Sequence, residues 1–273
     1  MSVWLEHAGR RLRVAAAHPV PLAIPLDPHG AQPSHFGAPR ASAVALSAGA
    51  FVGDTRLGGS CNCEAVTLVA HCNGTHTEGI GHVTRQRVPV HEAALRPLVV
   101  AALVSVRAEA AQASGETTDP APQADDRLVT ARALAAALDA LGAAGVAAVV
   151  VRTLPNAADK RRRDWMQPPM PPYFSLEAGR LLVERGIEHL LTDLPSVDRL
   201  LDAGRLGVHR VFWGLEPGSM DADRAQRPGA TITEMIYAPD DAPDGLYALS
   251  LQIAAWLSDA APSRPVLWPL AAA

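Results

Sequence analysis

The chain has 273 residues, enough for one large domain or two small ones with a sizeable core. At 48% hydrophobic, 19% charged and 4% aromatic residues it is neither a collagen, a coiled coil nor a disordered tail, and its core must be aliphatic. A net charge of -4, with Lys160 the single lysine among 24 basic residues, leaves no overall basic field, so nucleic acid is not an expected partner.

In chain order, Arg10, Arg11 and Arg13 precede an apolar run that His18, Pro19 and Pro21 interrupt, which is not the pattern of a secretory leader. The opening segment 1–45 is rich in Pro, His and Gly over 19–39. Cys61, Cys63 and Cys72 are odd in number and begin as C-x-C, which is no disulfide framework, so a reducing, cytoplasmic setting is expected. Residues 65–70 read as an apolar strand. The β-branched runs 98–106 and 146–152 read as buried strands, too short to cross a membrane. Between them lie a polar stretch, 112–126, and a helix over 127–141 carried by Leu128, Ala131, Leu134, Ala135 and Leu138 and stopped by Gly142. Lys160 to Arg163, flanked by Asp159 and Asp164, reads as a solvated loop. Ser175 caps a helix running to about Arg185, Gly186 ends it, and 187–191 reads as a strand. Segments 208–213, 231–237 and 247–253 are strand-like, and 259–265 reads as a polar turn with no chemistry assigned to it. The expectation is one mixed α/β domain, 1–273, with sheet and crossover helices in one unit.

The densest chemistry is His71-Cys72-Asn73-Gly74-Thr75-His76-Thr77-Glu78-Gly79-Ile80-Gly81-His82. In an extended segment His76 and Glu78, two apart, point the same way and could hold one cation. Mixed nitrogen and oxygen donors suit zinc or manganese rather than calcium. The plainer alternative is a polar loop whose histidines are satisfied by backbone. Cys61, Cys63, His71 and Cys72 as a structural zinc cluster is a further alternative, set against cysteines that act as small buried hydrophobes.

Gly74-Thr75-His76-Thr77-Glu78 followed by His82 resembles the H-x-G-T-H-x-D-x-x-x-H motif of the metal-dependent cyclases and hydrolases that include bacterial kynurenine formamidase and isatin hydrolase, with glutamate in place of aspartate. Phe51-Val52-Gly53-Asp54-Thr55 looks like that family's W-P-G-D-T segment, Thr192 to Asp198 like its D-x-x-S-V-D stretch, and His209 and Glu234 like its later histidine and glutamate. The motif's first histidine falls at Cys72, with His71 one place early. A bulge that brings in His71, a Cys72 thiolate, or a lost ligand each fits. The resemblance implies a barrel-like mixed α/β fold and one or two zinc or manganese ions. It further implies His71 or Cys72, His76, Glu78, His209 and Glu234 as ligands, and Phe51 as an aromatic wall of the substrate pocket. It implies a homodimer or larger homo-oligomer, and leaves 112–126, 159–172 and 215–229 as inserted loops.

The expected chemistry is metal-assisted hydrolysis of an amide carbon–nitrogen bond, with Glu78 holding the ions and His82 shuttling a proton to the leaving nitrogen. For substrate the resemblance implies N-formylkynurenine, giving kynurenine and formate. A cyclic amide or lactone on the same fold is the alternative, and a binding protein with a degraded metal site is the rival from another class.

Overall fold

The β-branched run read as a strand does form one, and around it the chain closes a barrel. In this computed structural model, which describes residues 3–15, 17–94 and 96–272, the barrel strands in chain order are β1 (His76–Glu78), β2 (Val99–Arg107), β3 (Ala148–Leu154), β4 (His189–Thr192), β5 (Thr231–Glu234), β6 (Gly245–Ile253) and β7 (Ala260–Ala272). They pair in the order β7-β6-β2-β3-β4-β5-β1, and β1 pairs again with β7, so this mixed sheet of 7 strands has no free edge. The β2–β3, β3–β4 and β4–β5 pairs are parallel and the others antiparallel. Closure runs through the segment read as a polar turn. Residues 260–262 are the start of the long β7, with Ala260 opposite Glu78 and Pro262 opposite His76.

Side chains alternate along each strand. Ala101, Leu103, Ala148, Val150, Leu191, Leu249 and Leu267 fill the barrel. Ala102, Val104, Val149, Val151, Leu190 and Ile232 face outward and pack against α1 (Ala131–Ala140) and α2 (Leu176–Glu184) through Leu134, Leu138 and Leu182. These strands are buried on both faces, which is why they read as continuous apolar runs rather than as alternation.

The helix expected over 127–141 is shorter. Arg127–Val129 is a strand whose Leu128 and Val129 lie opposite Tyr173 and Phe174, and the buried Thr130 caps α1 by accepting from the Ala133 amide at 3.2 Å. Ser175 caps α2 as expected, accepting from the Ala178 amide at 2.9 Å.

Segment 208–213 is helical, not a strand: α3 spans Gly207–Trp213. Its β-branched and aromatic residues lean locally toward strand, but Val208 and Phe212, four apart, fall on one apolar face and are buried together with α2. Gly179 of α2 allows the approach, since a Cβ there would stand 3.2 Å from Val211 and 3.3 Å from Val208.

The apolar strand expected over 65–70 is Glu64–Thr67, which pairs with Ser42–Ala45 and has all four of its residues exposed. Cys61 and Cys63 are exposed as well, away from the role of small core residues. Lys160 corrects another expectation. It is buried, and its Nζ donates to the Thr153 carbonyl, the Thr153 hydroxyl and Asp193 Oδ2 at 2.6, 2.9 and 2.7 Å, while Arg161 and Arg162 beside it stay exposed. No helix among the described residues is long and apolar enough to cross a membrane.

Candidate metal centre

Glu78 lies opposite Ile232 and His76 opposite Glu234 across β1 and β5, so all share the outward face that Ile232 marks. The cluster therefore sits between the barrel wall and the helices rather than in the lumen. The strand brings His76 and Glu78 to one side, as their spacing requires. Thr75 locks the approach: its hydroxyl donates to the Met235 carbonyl at 2.6 Å and accepts from the Ile24 amide at 2.9 Å. Met235, directly after Glu234, is buried at φ 51, a left-handed conformation unusual for a non-glycine residue, and its amide donates to the Leu194 carbonyl.

Each side chain is held by a group behind it. The carbonyl of Gly74 can only accept, so His76 donates through Nδ1 at 3.0 Å and its Nε2 is left as a bare lone pair. That Nε2 is 3.6 Å from Glu234 Oε2 and 4.0 Å from Glu78 Oε2. Asp198 accepts from the Val208 and His209 amides at the start of α3 at 2.9 and 3.2 Å, and from His209 Nδ1 at 2.6 Å. One carboxylate thus both caps the helix and points His209 Nε2 at Glu78 Oε1, 2.7 Å away, and toward Glu234 Oε1 at 3.7 Å. Glu234 Oε1 accepts from the Val197 amide at 2.8 Å.

His71 reaches the cluster. Its Nδ1 donates to Glu78 Oε2 at 2.8 Å and its Nε2 to Asp259 Oδ2 at 2.9 Å. His82, on the short turn Ile80–His82, stacks on His71 with ring centroids 4.2 Å apart, its Nε2 3.8 Å from Glu78 Oε2 and its Nδ1 3.7 Å from Asp259 Oδ2. Among the described residues, three overlapping groups have donor atoms within 4.8 Å of one another: His71, His76 and Glu78; Glu78, His82 and His209; His71, His82 and Asp259.

Cys72 is buried beside the cavity but belongs to none of these groups. Phe51 lies on the short strand Phe51–Val52, paired with Ser47–Ala48, and does not line the cavity. The aromatic lining comes from His35 and Phe36. Asp259, read as part of a turn without chemistry, stands inside the cluster.

The electrostatics are those of a site short of positive charge. Burial and the charge of His71 push His76 down to about 4, so it is neutral. Burial pushes the Glu78 carboxyl up, but the charges of His82 and His209 and hydrogen bonding from the histidines outweigh this and hold it well below the usual carboxylate range. Burial and the neighbouring Glu78 charge push Glu234 up to about 8. Burial lowers His71, but its bonds to Asp259 and Glu78 dominate and raise it to about 10. Burial lowers His209 too, against the stronger effects of Glu78 and Asp198, which raise it well above the usual imidazole value.

His76 Nε2, Glu78 Oε1 and His209 Nε2 are buried without a hydrogen-bond partner, and the last two, though 2.7 Å apart, lack the alignment of a hydrogen bond. Buried polar atoms are rarely orphaned. His76 Nε2 offers a bare lone pair, and His209 Nε2, once its proton is given up, offers a second one facing a carboxylate oxygen; these are atoms that a cation can take as donors. A cavity of about 370 Å³ opens beside them, lined by the apolar Phe36, Val69, Leu200 and Leu206 and by Glu78, His209 and Glu234.

The Cyclase family model matches residues 17–199. No curated protein matches the sequence. Among solved structures, the chain is similar to a predicted metal-dependent hydrolase from Bacillus stearothermophilus, at 14% identity and TM-score 0.55 over 93% of this chain and 99% of that one. It is similar to isatin hydrolase A from Labrenzia aggregata, bound to benzyl benzoate, at 18% identity and TM-score 0.59 over 92% and 93%. A structure described as a novel cyclase shares 14% identity at TM-score 0.61 over 94% and 88%. At these identities the likeness is one of fold.

Proposed function

This chain belongs to the cyclase family, and we propose that it is a metal-dependent hydrolase that cleaves the carbon–nitrogen bond of an amide. The observation that carries the reading is that three buried donor atoms, His76 Nε2, Glu78 Oε1 and His209 Nε2, lack hydrogen-bond partners on the two sides of Glu78, beside a cavity that Glu78 and His209 line. Neutral imidazoles with carboxylates are the donor set of zinc or manganese. His71, His76, Glu78, His209 and Glu234 would hold one or two such ions, with Glu78 shared because its two oxygens face different histidines. Such an ion, when bound, supplies a polarised carbonyl and water of near-neutral pKa.

The chain's own residues do the rest. The Gly74 carbonyl fixes the His76 tautomer, and Asp198 fixes His209, so neither ring has to reorganise. Glu234 is held by the Val197 amide. His82 is not a fully buried donor: a quarter of its side chain is exposed at the cavity edge, where it can carry a proton between attacking water and leaving nitrogen. The apolar wall of Phe36, Val69, Leu200 and Leu206 favours a flat, largely apolar amide, and about 370 Å³ is room for a fused bicyclic ring or a monosubstituted aryl amide. Isatin, a cyclic amide, and N-formylkynurenine, an acyclic one, are the substrates to test first, with a simple lactone beside them.

The test is elemental analysis of protein purified without added metal, beside His76→Ala, followed by hydrolysis assays on those three compounds. One to two equivalents of zinc or manganese in the wild type, lost in His76→Ala, with turnover of an amide, is the expected result. No metal in either protein after incubation with both ions overturns the reading and leaves a binding protein.

A further inference from the structure

We infer that Asp259 is a positioning residue of the metal centre: it holds His71 by its outer nitrogen so that Nδ1, and not the neighbouring Cys72 thiol, is presented to the ions. The inference rests on the hydrolase reading and adds to it a residue outside the His71–His82 segment.

His71 is bound at both nitrogens, by Glu78 within and Asp259 without. Carboxylate on one imidazole nitrogen and metal on the other is a recurring arrangement, because the carboxylate fixes the tautomer and raises the basicity of the ligating nitrogen. Here Asp259 on Nε2 leaves Nδ1 facing Glu78 Oε2, the oxygen that His76 Nε2 and His82 Nε2 also face at 4.0 and 3.8 Å. The same Asp259 oxygen lies 3.7 Å from His82 Nδ1, so one carboxylate backs both stacked rings.

The backbone is arranged for this contact. The Gly79 amide donates to the Asp259 carbonyl at 3.0 Å. A Cβ at Gly81 would stand 2.9 Å from Asp259 Cβ and 2.8 Å from the Val88 carbonyl oxygen, so only glycine at 81 lets Asp259 close on the histidines. Asp259 also immediately precedes Ala260, which lies opposite Glu78 where the barrel closes, so the contact is tied to the fold and not to a loose tail. Cys72 joins none of the three donor groups. Asn73 holds the turn that carries it, accepting from the Val69 amide at 2.6 Å and donating to the Pro39 carbonyl at 3.0 Å.

The test compares wild type, Asp259→Asn, Asp259→Glu and Cys72→Ser by titration of the metal-free proteins with cobalt(II), which reports affinity, stoichiometry and ligand type in one spectrum. Expected are affinity weakened about 10- to 100-fold in Asp259→Asn at unchanged stoichiometry, part of it recovered in Asp259→Glu, and wild-type affinity in Cys72→Ser. No thiolate-to-cobalt charge-transfer band is expected in any of them. Circular dichroism and melting confirm that each variant is folded. Wild-type affinity in Asp259→Asn, a thiolate band that Cys72→Ser abolishes, or loss of a whole metal equivalent in Asp259→Asn, which would make it a ligand, each overturns this inference and leaves the hydrolase reading standing. A wild type that binds no cobalt, zinc or manganese overturns both.

Discussion

Two clusters of buried charge sit about the same barrel wall. Beside the last residues of β3 and β4, Lys160 makes three donations to Thr153 and Asp193, and Asp193 in turn accepts from the Thr153 hydroxyl and amide at 2.8 and 2.9 Å, so both groups are enclosed by partners. At β1 and β5, by contrast, four histidines and three carboxylates crowd together and still leave His76 Nε2, Glu78 Oε1 and His209 Nε2 without partners. Leaving a buried polar atom unpaired costs about 1–3 kcal/mol, more when it is charged. The first cluster is complete as it stands, and the second is complete only with something bound. Burial of charge is common to both; satisfaction is what separates a structural pair from a site.

The largest effect that could break this contrast is at Glu78. Glu78→Gln removes the charge that two sides of the site share, so metal uptake should fall to background, with turnover reduced roughly a thousandfold or more, since several kcal/mol of transition-state stabilisation go with the ion. The metal-free protein should lose stability as well, because His71 and His209 lose the charge that faces them, so uptake is read on the folded fraction. Full metal occupancy in Glu78→Gln would show that the carboxylate is no ligand.

Lys160→Met is the opposite experiment. It strands Asp193 as an uncompensated buried charge, and removal of one partner of such a pair costs about 3–5 kcal/mol. Chemical denaturation should register that loss, while metal stoichiometry of the folded fraction stays as in the wild type. Lys160→Met with Asp193→Asn should recover part of it. If the single variant instead loses metal at unchanged stability, the two clusters are not the separate kinds described here.

A smaller effect concerns pH. Glu234 is held at about 8 by burial and by Glu78, and His209 is raised well above the usual imidazole value, so both carry protons at pH 7 in the metal-free protein. An entering ion must displace them. Rising pH removes that competition, so affinity should tighten between about pH 6.5 and 8, by about tenfold per unit for each proton released. The stability of the metal-free protein should move the other way. Folded Glu234 binds its proton more tightly than the unfolded carboxyl near 4.5, so its contribution falls as pH rises from there through about 8. His71, raised to about 10 from 6.5, acts in the same direction over the upper part of that range. Calorimetric titration at several pH values, with and without chelator, checks both signs. An affinity that does not change with pH would remove the protonated Glu234 from the description.

How much of this is legible in the sequence depends on distance along the chain. His76, Glu78 and His82 lie within seven residues, and spacing alone places His76 and Glu78 on one side of a strand. The runs 98–106 and 146–152 are recognisable because burial on both faces leaves nothing polar in them. The D-x-x-S-V-D resemblance marks Asp198 as notable but not that it caps α3 and orients His209. Asp259 stands 188 residues from His71, in a segment rich in Pro and Ser, and no local pattern tells a turn there from the start of a barrel-closing strand. Lys160 is hidden by its neighbours: three arginines that stay in solvent or half in it make the run look uniformly exposed. Residues 207–213 mislead because their propensity favours strand while packing against Gly179 decides for helix.

The smallest expected effect lies directly behind the metal centre and separates the two faces of one strand. Thr77, between His76 and Glu78, points into the barrel, where its hydroxyl meets that of Thr233 at 2.8 Å, each the other's only side-chain partner among the described residues. This is a closed polar pair like that of Lys160 and Asp193, on a strand whose other face is open. Thr77→Val alone leaves the Thr233 hydroxyl buried and unpaired, at a cost of about 1–3 kcal/mol, whereas Thr77→Val with Thr233→Val replaces both partners by groups of the same shape and should come within about 1 kcal/mol of wild type. Metal affinity should be unchanged in both variants, because the hydroxyls face away from the donor atoms of the site. If affinity falls with Thr77→Val and returns in the double variant, the pair sets the strand register that aligns His76 with Glu78, and the two faces are coupled after all.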